Sequence, residues 1–274
     1  MLVPTRRGRR LVLGVFAIVL IVVLVAPLLV VVVSALARTW NGVLPSSLTT
    51  DHLQASVDSD NLNSLSVSVQ TALISGLAAV VLGTWAALAG RPLPRWLRST
   101  VDGLFMLPVA VPSVVIGLGL LVAFSRPPIL LNGTRWIVFA AQTVLVLSFS
   151  YSTVSAALQR LDPALSDVAG SLGARPSRVL LRVTLPLLLP AISAAAALAV
   201  SLCMGELGAT IMTYPPSWRT LPVTIYGLSD RGQTFAASAD TLLLLMATAV
   251  LLMVLGRIGA GRRRRGAWHH GKKA

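Results

Sequence analysis

The chain has 274 residues, of which 55% are hydrophobic and only 12% are charged, and its mean hydropathy is +0.81. Soluble domains carry about 25% charged residues, so this is the composition of an integral membrane protein. Lys and Arg number 23 against 9 Asp and Glu. These basic residues flank apolar runs and do not line one face, which argues against a nucleic-acid partner.

Cysteine and lysine are too scarce for several kinds of site. The single cysteine, Cys203, cannot form an intramolecular disulfide or a cysteine-based zinc site. The only lysines are Lys272 and Lys273, whereas a phosphate-binding P-loop needs a lysine directly after its glycines. We therefore predict no catalytic residues, no metal site and no cofactor on this chain. Any ATP, with its Mg, would have to bind to another polypeptide.

Six apolar runs reach the roughly 20 residues that a helix needs to cross the bilayer core. The first run is longer than the apolar core of a signal peptide, which is about 7–15 residues, so we predict a retained helix. In the second run, Gln70, Thr71, Ser75 and Thr84 predict contacts with other helices or with a water-filled path. The fold predicted is an all-α integral membrane protein with spans at residues 11–37, 65–89, 104–124, 136–157, 185–213 and 235–255.

The basic residues also predict the orientation of the helices. If the N-terminus is cytoplasmic, 18 of the 23 Lys and Arg residues lie inside and 5 lie outside, as the positive-inside rule requires. We therefore predict both termini in the cytoplasm. The domain organisation predicted is a basic N-terminus (1–10), a six-helix transmembrane domain (11–257) and a basic, disordered tail (258–274).

Residues 158–186 form a polar segment between the fourth and fifth spans, on the predicted cytoplasmic side. Helix connections of about 2–8 residues are common, so this segment is long enough to form a surface. Asp162-Pro163 is a helix-start signal, and Gly173 suits the position just after a helix ends. Between these signals an apolar stripe predicts a short helix. Its residues are Ala164, Leu165, Val168, Ala169 and Leu172.

Either lipid or protein could cover this predicted helix. An interfacial helix normally buries an aromatic or leucine-rich face among lipid headgroups, and here the apolar face is mostly Ala and Val. Ala169, Gly170 and Gly173 carry little side-chain bulk, so the backbone of a partner could approach closely. We therefore favour a protein partner over lipid.

The 158–186 segment resembles the cytoplasmic signature of binding-protein-dependent ABC importer permeases, which reads Glu-Ala-Ala, three residues, Gly, nine residues and Ile-x-Leu-Pro. The matching residues are Asp167, Val168 and Ala169, then Gly173, then Val183, Thr184, Leu185 and Pro186. The spacing is intact, and each departure keeps the charge or the apolar character. Since six spans fit the same family, the resemblance covers nearly the whole chain. It implies the type I importer permease fold in a bacterial plasma membrane.

The resemblance also implies partners and a role for the segment. The predicted short helix would be a coupling helix on a cytoplasmic ABC ATPase dimer, whose ATP-driven closure would rotate the permease helices. The other implied partners are a second permease subunit, identical or homologous, and an extracytoplasmic substrate-binding protein. The residues implied in ATPase coupling are Asp167, Val168, Ala169, Gly170, Gly173, Ala174, Arg175, Leu185 and Pro186.

Five residues inside the spans are candidates for a substrate pathway. Glu206 lies in an apolar run, where a carboxylate is costly unless it faces water or is paired, so it either lines the pathway or hydrogen-bonds between helices. Gly205 and Gly208 thin the helix around it and permit close packing. In the third span, Pro108 and Pro112 free backbone carbonyls, which suits a moving gate or a packing feature.

Residues 205–210, GELGAT, and the segment 214–223 most resemble permeases that import phosphonates, in particular 2-aminoethylphosphonate. Molybdate, sulfate, ferric-iron and thiamine permeases have similar patches, so their substrates are alternatives. The predicted outer loop 214–234 either gates the pathway, docks the binding protein or forms an interfacial aromatic belt. An ion-coupled secondary transporter ranks lower, because it would need more intramembrane charge than Glu206 and Asp240 supply.

Overall fold

A computed structural model describes residues 6–42 and 44–267 of the chain, and almost all of this part is helical. The α-helices are α1 (Arg6–Ala35), α2 (Asp51–Ser56), α3 (Ser59–Gly90), α4 (Arg95–Ala110), α5 (Ser113–Ala123), α6 (Arg135–Gln159), α7 (Ala164–Ser171), α8 (Pro176–Val179), α9 (Leu185–Met204), α10 (Gly208–Thr213), α11 (Leu221–Asp230) and α12 (Thr234–Ala267). The remaining elements are a π-helical turn (Leu180–Thr184), a 3-10 turn (Pro216–Trp218) and the short antiparallel pair β1 (Ala37–Thr39) and β2 (Ser47–Leu48).

Five helical stretches are long and apolar enough to cross a membrane without a sharp break. They are Val12–Ala35, Ser59–Gly90, Arg135–Gln159, Pro176–Met204 and Thr234–Arg257. α4 and α5 pass the same test only as a pair, and they meet at an angle of 101°. The described part of the chain therefore has five continuous spans, or six if the bent pair counts as one.

The predicted third span, residues 104–124, is not one helix. α4 ends at Ala110 and α5 begins at Ser113, with Val111 in an extended conformation and Pro112 at the cap of α5. A proline disfavours the helical conformation in the residue before it, and Val111 before Pro112 is indeed extended. Pro108 lies inside α4 without breaking it.

Two other predicted boundaries differ from the structure. The predicted fifth span, residues 185–213, is interrupted after Met204 and resumes as α10 at Gly208. α12 continues to Ala267, so residues 258–267 of the predicted disordered tail are helical. Residues 1–5 and 268–274 of the predicted tails lie outside the described ranges.

The chain divides into two compact units. One holds the residues up to Leu62 together with Thr224–Leu245. In this first unit, nearly every described large apolar side chain of α1 is exposed, as expected for a helix that is apolar all round and spans a membrane. Polar contacts inside the unit include Ser238 Oγ to Ser34 Oγ at 3.0 Å.

The second unit holds Asn63–Val223 and the chain from Met246. Its interior is built from small residues that let helices approach closely. A Cβ on Gly83 would lie 2.8 Å from the backbone nitrogen of Tyr151, and one on Gly76 would lie 2.9 Å from the side chain of Val200. α3 and α6 are therefore in backbone contact, as in many membrane helix pairs.

The polar residues of α3 mostly have partners in this second unit. Thr71 Oγ1 accepts a hydrogen bond from Trp218 Nε1 at 3.0 Å, and Ser75 Oγ donates to the Phe139 carbonyl at 3.2 Å. Thr84 is also buried. Thr71 and Ser75 make the predicted contacts with other parts of the chain, and the exposed Gln70 is left with the other predicted alternative, a water-filled path. Gln70 lies on a different face of α3 from Thr71 and Ser75.

Candidate functional site

α7 forms where the sequence predicts a short helix, and both of its ends are closed by hydrogen bonds. At the start, Asp162 Oδ1 accepts a bond from the backbone nitrogen of Ala164 at 2.9 Å. At the end, the nitrogen of Gly173 donates to the Gly170 carbonyl at 2.9 Å, and that of Ala174 donates to the Ala169 carbonyl at 3.1 Å. These two bonds form a Schellman motif.

Gly173 stands at the one left-handed position of this motif. Its φ is +80°, in a region that residues with a Cβ rarely adopt. The turn after it leads to Arg175, which is extended, and then to Pro176 as the first residue of α8. Gly173 therefore sets the direction in which α8 leaves α7.

The apolar stripe of α7 has no cover within the described chain. No side chain of α7 is buried, and Leu172, at its C-terminal end, is 83% exposed. Leu165 and Val168 are also exposed. Full burial of a side chain of this size contributes about 1.5–3 kcal/mol, so the stripe is a surface on which a partner would gain free energy by docking.

A groove of about 400 Å³ lies beside α7, between the helix, the α8 turn and the end of α3. Gly170 and Ala174 line it, opposite Leu88 and Arg91. A Cβ on Gly170 would meet no atom within 4 Å, so this glycine is not needed for packing inside the chain. Its small size would instead leave room for a partner.

The structure brings together only part of the predicted coupling set. Residues 167–175 lie on α7 and its C-terminal turn. Leu185 and Pro186 begin α9, beyond α8 and the π-helical turn. The π-helical turn (Leu180–Thr184) lies just before Pro186. The ring nitrogen of proline has no hydrogen to donate to the Arg182 carbonyl one helical turn earlier, and this missing bond favours a wider turn at that point.

Glu206 lies in the break between α9 and α10, and its carboxylate binds the start of α10. It accepts hydrogen bonds from the backbone nitrogens of Ala209 at 2.7 Å and Thr210 at 2.9 Å. Thr210 Oγ1 donates a third bond at 2.5 Å. Three donors satisfy the carboxylate within its own chain, which accounts for its presence inside an apolar span.

A second helix is connected to this cap through Gln142. Its side chain is buried in α6 and its Nε2 donates to Thr210 Oγ1 at 3.0 Å. Gln142 therefore links α6 to α10 and, through Thr210, to Glu206. Gln142 was not among the predicted site residues, although an amide in the middle of an apolar run is itself a signal of a polar contact between helices.

α5 and α10 pack backbone to backbone across the two breaks. A Cβ on Gly117 would lie 2.7 Å from both the Cα and the carbonyl oxygen of Ala209, and one on Gly208 would collide with Ser113. The structure thus places Ser113, the residue after Pro112, against Gly208, two residues from Glu206. A Cβ on Gly205 would meet no atom within 4 Å, and Pro108 stays within α4, so these two candidates do not join the cluster.

A further polar pair, between buried Tyr151 and half-buried Asp102, lies outside the predicted site. Tyr151 Oη on α6 donates to Asp102 Oδ1 on α4 at 2.5 Å, and the ring of Phe105 stacks on Tyr151 at 4.3 Å. Asp102 was overlooked because the predicted span began at residue 104, whereas α4 begins at Arg95. The spacing of Arg98 and Asp102 at i and i+4 is a helical signal that would have extended the span.

Replacing Glu206 by alanine should destabilise the chain by about 2 kcal/mol, because three donors at the start of α10 lose their acceptor. Glu206→Gln retains one side-chain oxygen, so about half of this loss is expected. Thermal unfolding of the purified variants in detergent measures both losses of stability. If Glu206→Gln were as stable as the parent chain but failed in transport, Glu206 would act on substrate and not as a cap.

The comparisons with known proteins place the chain in a family. The family described as binding-protein-dependent transport system inner membrane component matches residues 79–265. The chain is 43% identical over 258 residues to the provisionally assigned 2-aminoethylphosphonate transport system permease protein PhnV of Salmonella typhimurium, covering 94% of this chain and 97% of that protein. It is 36% identical over 207 residues to the molybdenum transport system permease protein ModB of Mycobacterium tuberculosis, covering 70% and 77%.

One solved structure agrees with the fold. A chain of a bacterial alginate ABC transporter, in complex with an alginate pentasaccharide-bound periplasmic protein, superposes with a TM-score of 0.69 over 95% of this chain and 96% of that one, at 17% identity. The predicted all-α permease fold is thereby confirmed. This chain belongs to the binding-protein-dependent transport system inner membrane components: it is a multi-pass inner-membrane permease subunit of an ABC importer, and it is not an enzyme.

Proposed function

We propose that this permease imports a small phosphonate, 2-aminoethylphosphonate, delivered by an extracytoplasmic binding protein. The supporting observation is the 43% identity to PhnV over nearly the full length of both chains. The similarity to ModB is lower and covers less of each chain, so molybdate ranks below the phosphonate. Sulfate, ferric iron and thiamine rank lower still.

The energy for import would come from a separate ABC ATPase dimer that binds ATP and Mg. This chain has no P-loop lysine, and its α7 carries an exposed apolar stripe beside a groove lined by Gly170 and Ala174. We assign α7 and the turn at Gly173 as the coupling surface. A second permease subunit, identical or homologous, would complete the pathway.

The orientation we propose has both termini in the cytoplasm of a bacterium. It rests on the 18 basic residues that this arrangement puts inside, against 5 outside. α7 then faces the cytoplasm, where an ATPase is available. The loop after α10 faces outward, where it either docks the binding protein or gates the pathway.

Uptake by reconstituted vesicles tests the proposed substrate. The chain is reconstituted with its ATPase and binding protein, and labelled 2-aminoethylphosphonate is supplied outside with ATP inside. Uptake should require ATP and should be inhibited by unlabelled 2-aminoethylphosphonate, but not by molybdate. Uptake of molybdate without uptake of the phosphonate would overturn the assignment, and uptake by this chain alone, driven by a proton gradient, would contradict the need for an ATPase.

Leu172→Glu tests the proposed coupling surface. It places a charge in an apolar docking surface, at a cost above the roughly 1.4 kcal/mol that corresponds to a tenfold change. ATP-driven uptake should therefore fall about tenfold or more, with normal amounts of protein in the membrane. Leu44→Glu is the matched control, because Leu44 is 77% exposed but lies on the proposed outer side. Equal effects of the two changes would remove α7 from the coupling role.

A further inference from the structure

The first unit contains a cleft of about 460 Å³ that the proposed coupling surface does not involve. It is lined by residues of α2, the start of α3, the end of α11 and the start of α12. Three of the nine carboxylates of the chain, Asp58, Asp60 and Asp240, line it, and no Lys or Arg does. In a chain with a net charge of +14, this cleft is a local concentration of negative charge.

Asp240 is the buried member of this group, with only 1% of its surface exposed. Its Oδ1 accepts a hydrogen bond from Asn61 Nδ2 at 3.2 Å. Its Oδ2 is buried and has no donor within the described part of the protein. A buried carboxylate oxygen without a donor is costly, and intramembrane carboxylates of this kind commonly have a functional partner.

Asn61 cannot supply the missing donor. One hydrogen of its Nδ2 is directed to Asp240 Oδ1, and the same nitrogen also donates to the Ala55 carbonyl at 3.1 Å. Both donors of the amide are therefore used. They hold Asn61 in place and fix the orientation of Asp240, whose Oδ2 remains without a donor beside the cleft that Asp240 lines.

The chemistry of the cleft selects the kind of ligand. Within the described ranges, no group of three or more His, Cys, Asp or Glu side chains could hold a metal ion. A primary ammonium group brings three N–H donors and a positive charge, which match an unpaired carboxylate oxygen beside a cleft that two further carboxylates line. The volume is in the range of about 300–1,000 Å³ that small-molecule sites occupy.

We propose that this cleft binds the primary ammonium group of a small molecule, with Asp240 as its main partner and Asp58 and Asp60 adding negative charge at the rim. His52 also lines the cleft and packs against Phe235, with ring centroids 6.0 Å apart. An aminoalkylphosphonate carries such an ammonium group. The step from this group to the transported substrate rests on the proposed function.

Binding of ethylammonium to the purified full chain tests the site. Calorimetry at constant ionic strength, adjusted with potassium chloride, measures the Kd. Asp240→Asn should weaken binding by at least about tenfold, since a hydrogen bond to a charged group is lost. Asp60→Asn, at the exposed rim, should weaken it about two- to threefold. Asp51→Asn is the control, because Asp51 is exposed but does not line the cleft, and it should leave the Kd unchanged.

The comparison between Asp60→Asn and Asp51→Asn tests whether the cleft binds the cation even if Asp240→Asn fails to fold. Equal weakening by these two variants would mean that general charge, and not the cleft, attracts the cation, and the proposal would be wrong. Retention of full affinity by a folded Asp240→Asn variant would also overturn it. Comparing the binding of ethylammonium with the import of 2-aminoethylphosphonate separates the two proposals. If the chain binds ethylammonium but the transporter does not import 2-aminoethylphosphonate, the proposed substrate is wrong and the proposed ammonium site is still supported.

Discussion

Replacing Gly117 by alanine should lower the stability of the chain by about 1–3 kcal/mol, the usual cost of overpacking, and should abolish import. The new Cβ would lie 2.7 Å from two backbone atoms of Ala209. Backbone atoms cannot rotate away as the end of a long side chain can. α5 and α10 would have to separate, and the Glu206 cap on α10 would shift with them.

Gly119→Ala is the matched control for this prediction. It lies two residues further along α5, and its Cβ would meet no atom within 4 Å. Alanine is a better helix former than glycine by about 1 kcal/mol, so this variant should be as stable as the parent chain or more so. Thermal unfolding and ATP-driven uptake measure both variants. If Gly117→Ala and Gly119→Ala behaved alike, the close contact between α5 and α10 would not matter for function.

Replacing Gly173 by valine should abolish coupled transport while leaving the protein in the membrane. At a φ of +80°, a residue with a Cβ costs about 1–2 kcal/mol, and a β-branched one is the least tolerated. The Schellman bonds that end α7 would break and α8 would leave in another direction. Since α7 has no buried side chain to hold it, the whole helix should loosen.

Gly173→Asn is the control for backbone conformation, because asparagine adopts the left-handed region far more readily than other non-glycine residues. It should retain most of the uptake and most of the substrate-dependent ATP hydrolysis by the partner, whereas Gly173→Val should lose both. Membrane fractionation confirms that both variants insert equally. Full activity of Gly173→Val would show that the turn after α7 is not part of coupling.

Local structure in the 158–186 segment was predictable because its signals lie within a few residues of each other. Asp162 caps the start of α7 and Gly173 closes its end, and both act on neighbouring backbone groups. The two prolines of the third span show the limit of prediction from such local signals. Pro108 is tolerated inside α4 and Pro112 breaks the chain into two helices at 101°. Which of these happens depends on the helices that pack alongside, and hydropathy does not contain that information.

Composition and residue spacing alone determined that the chain belongs in a membrane, and carried the resemblance to its family, because both depend on averages and on short stretches of chain. Only the tertiary structure decided which polar side chains have partners. Gln142 bonds to Thr210 across 68 residues, and Asn61 reaches Asp240 across 179. A hydrogen bond depends on distance in space, and for residues so far apart in the chain that distance is set by packing alone.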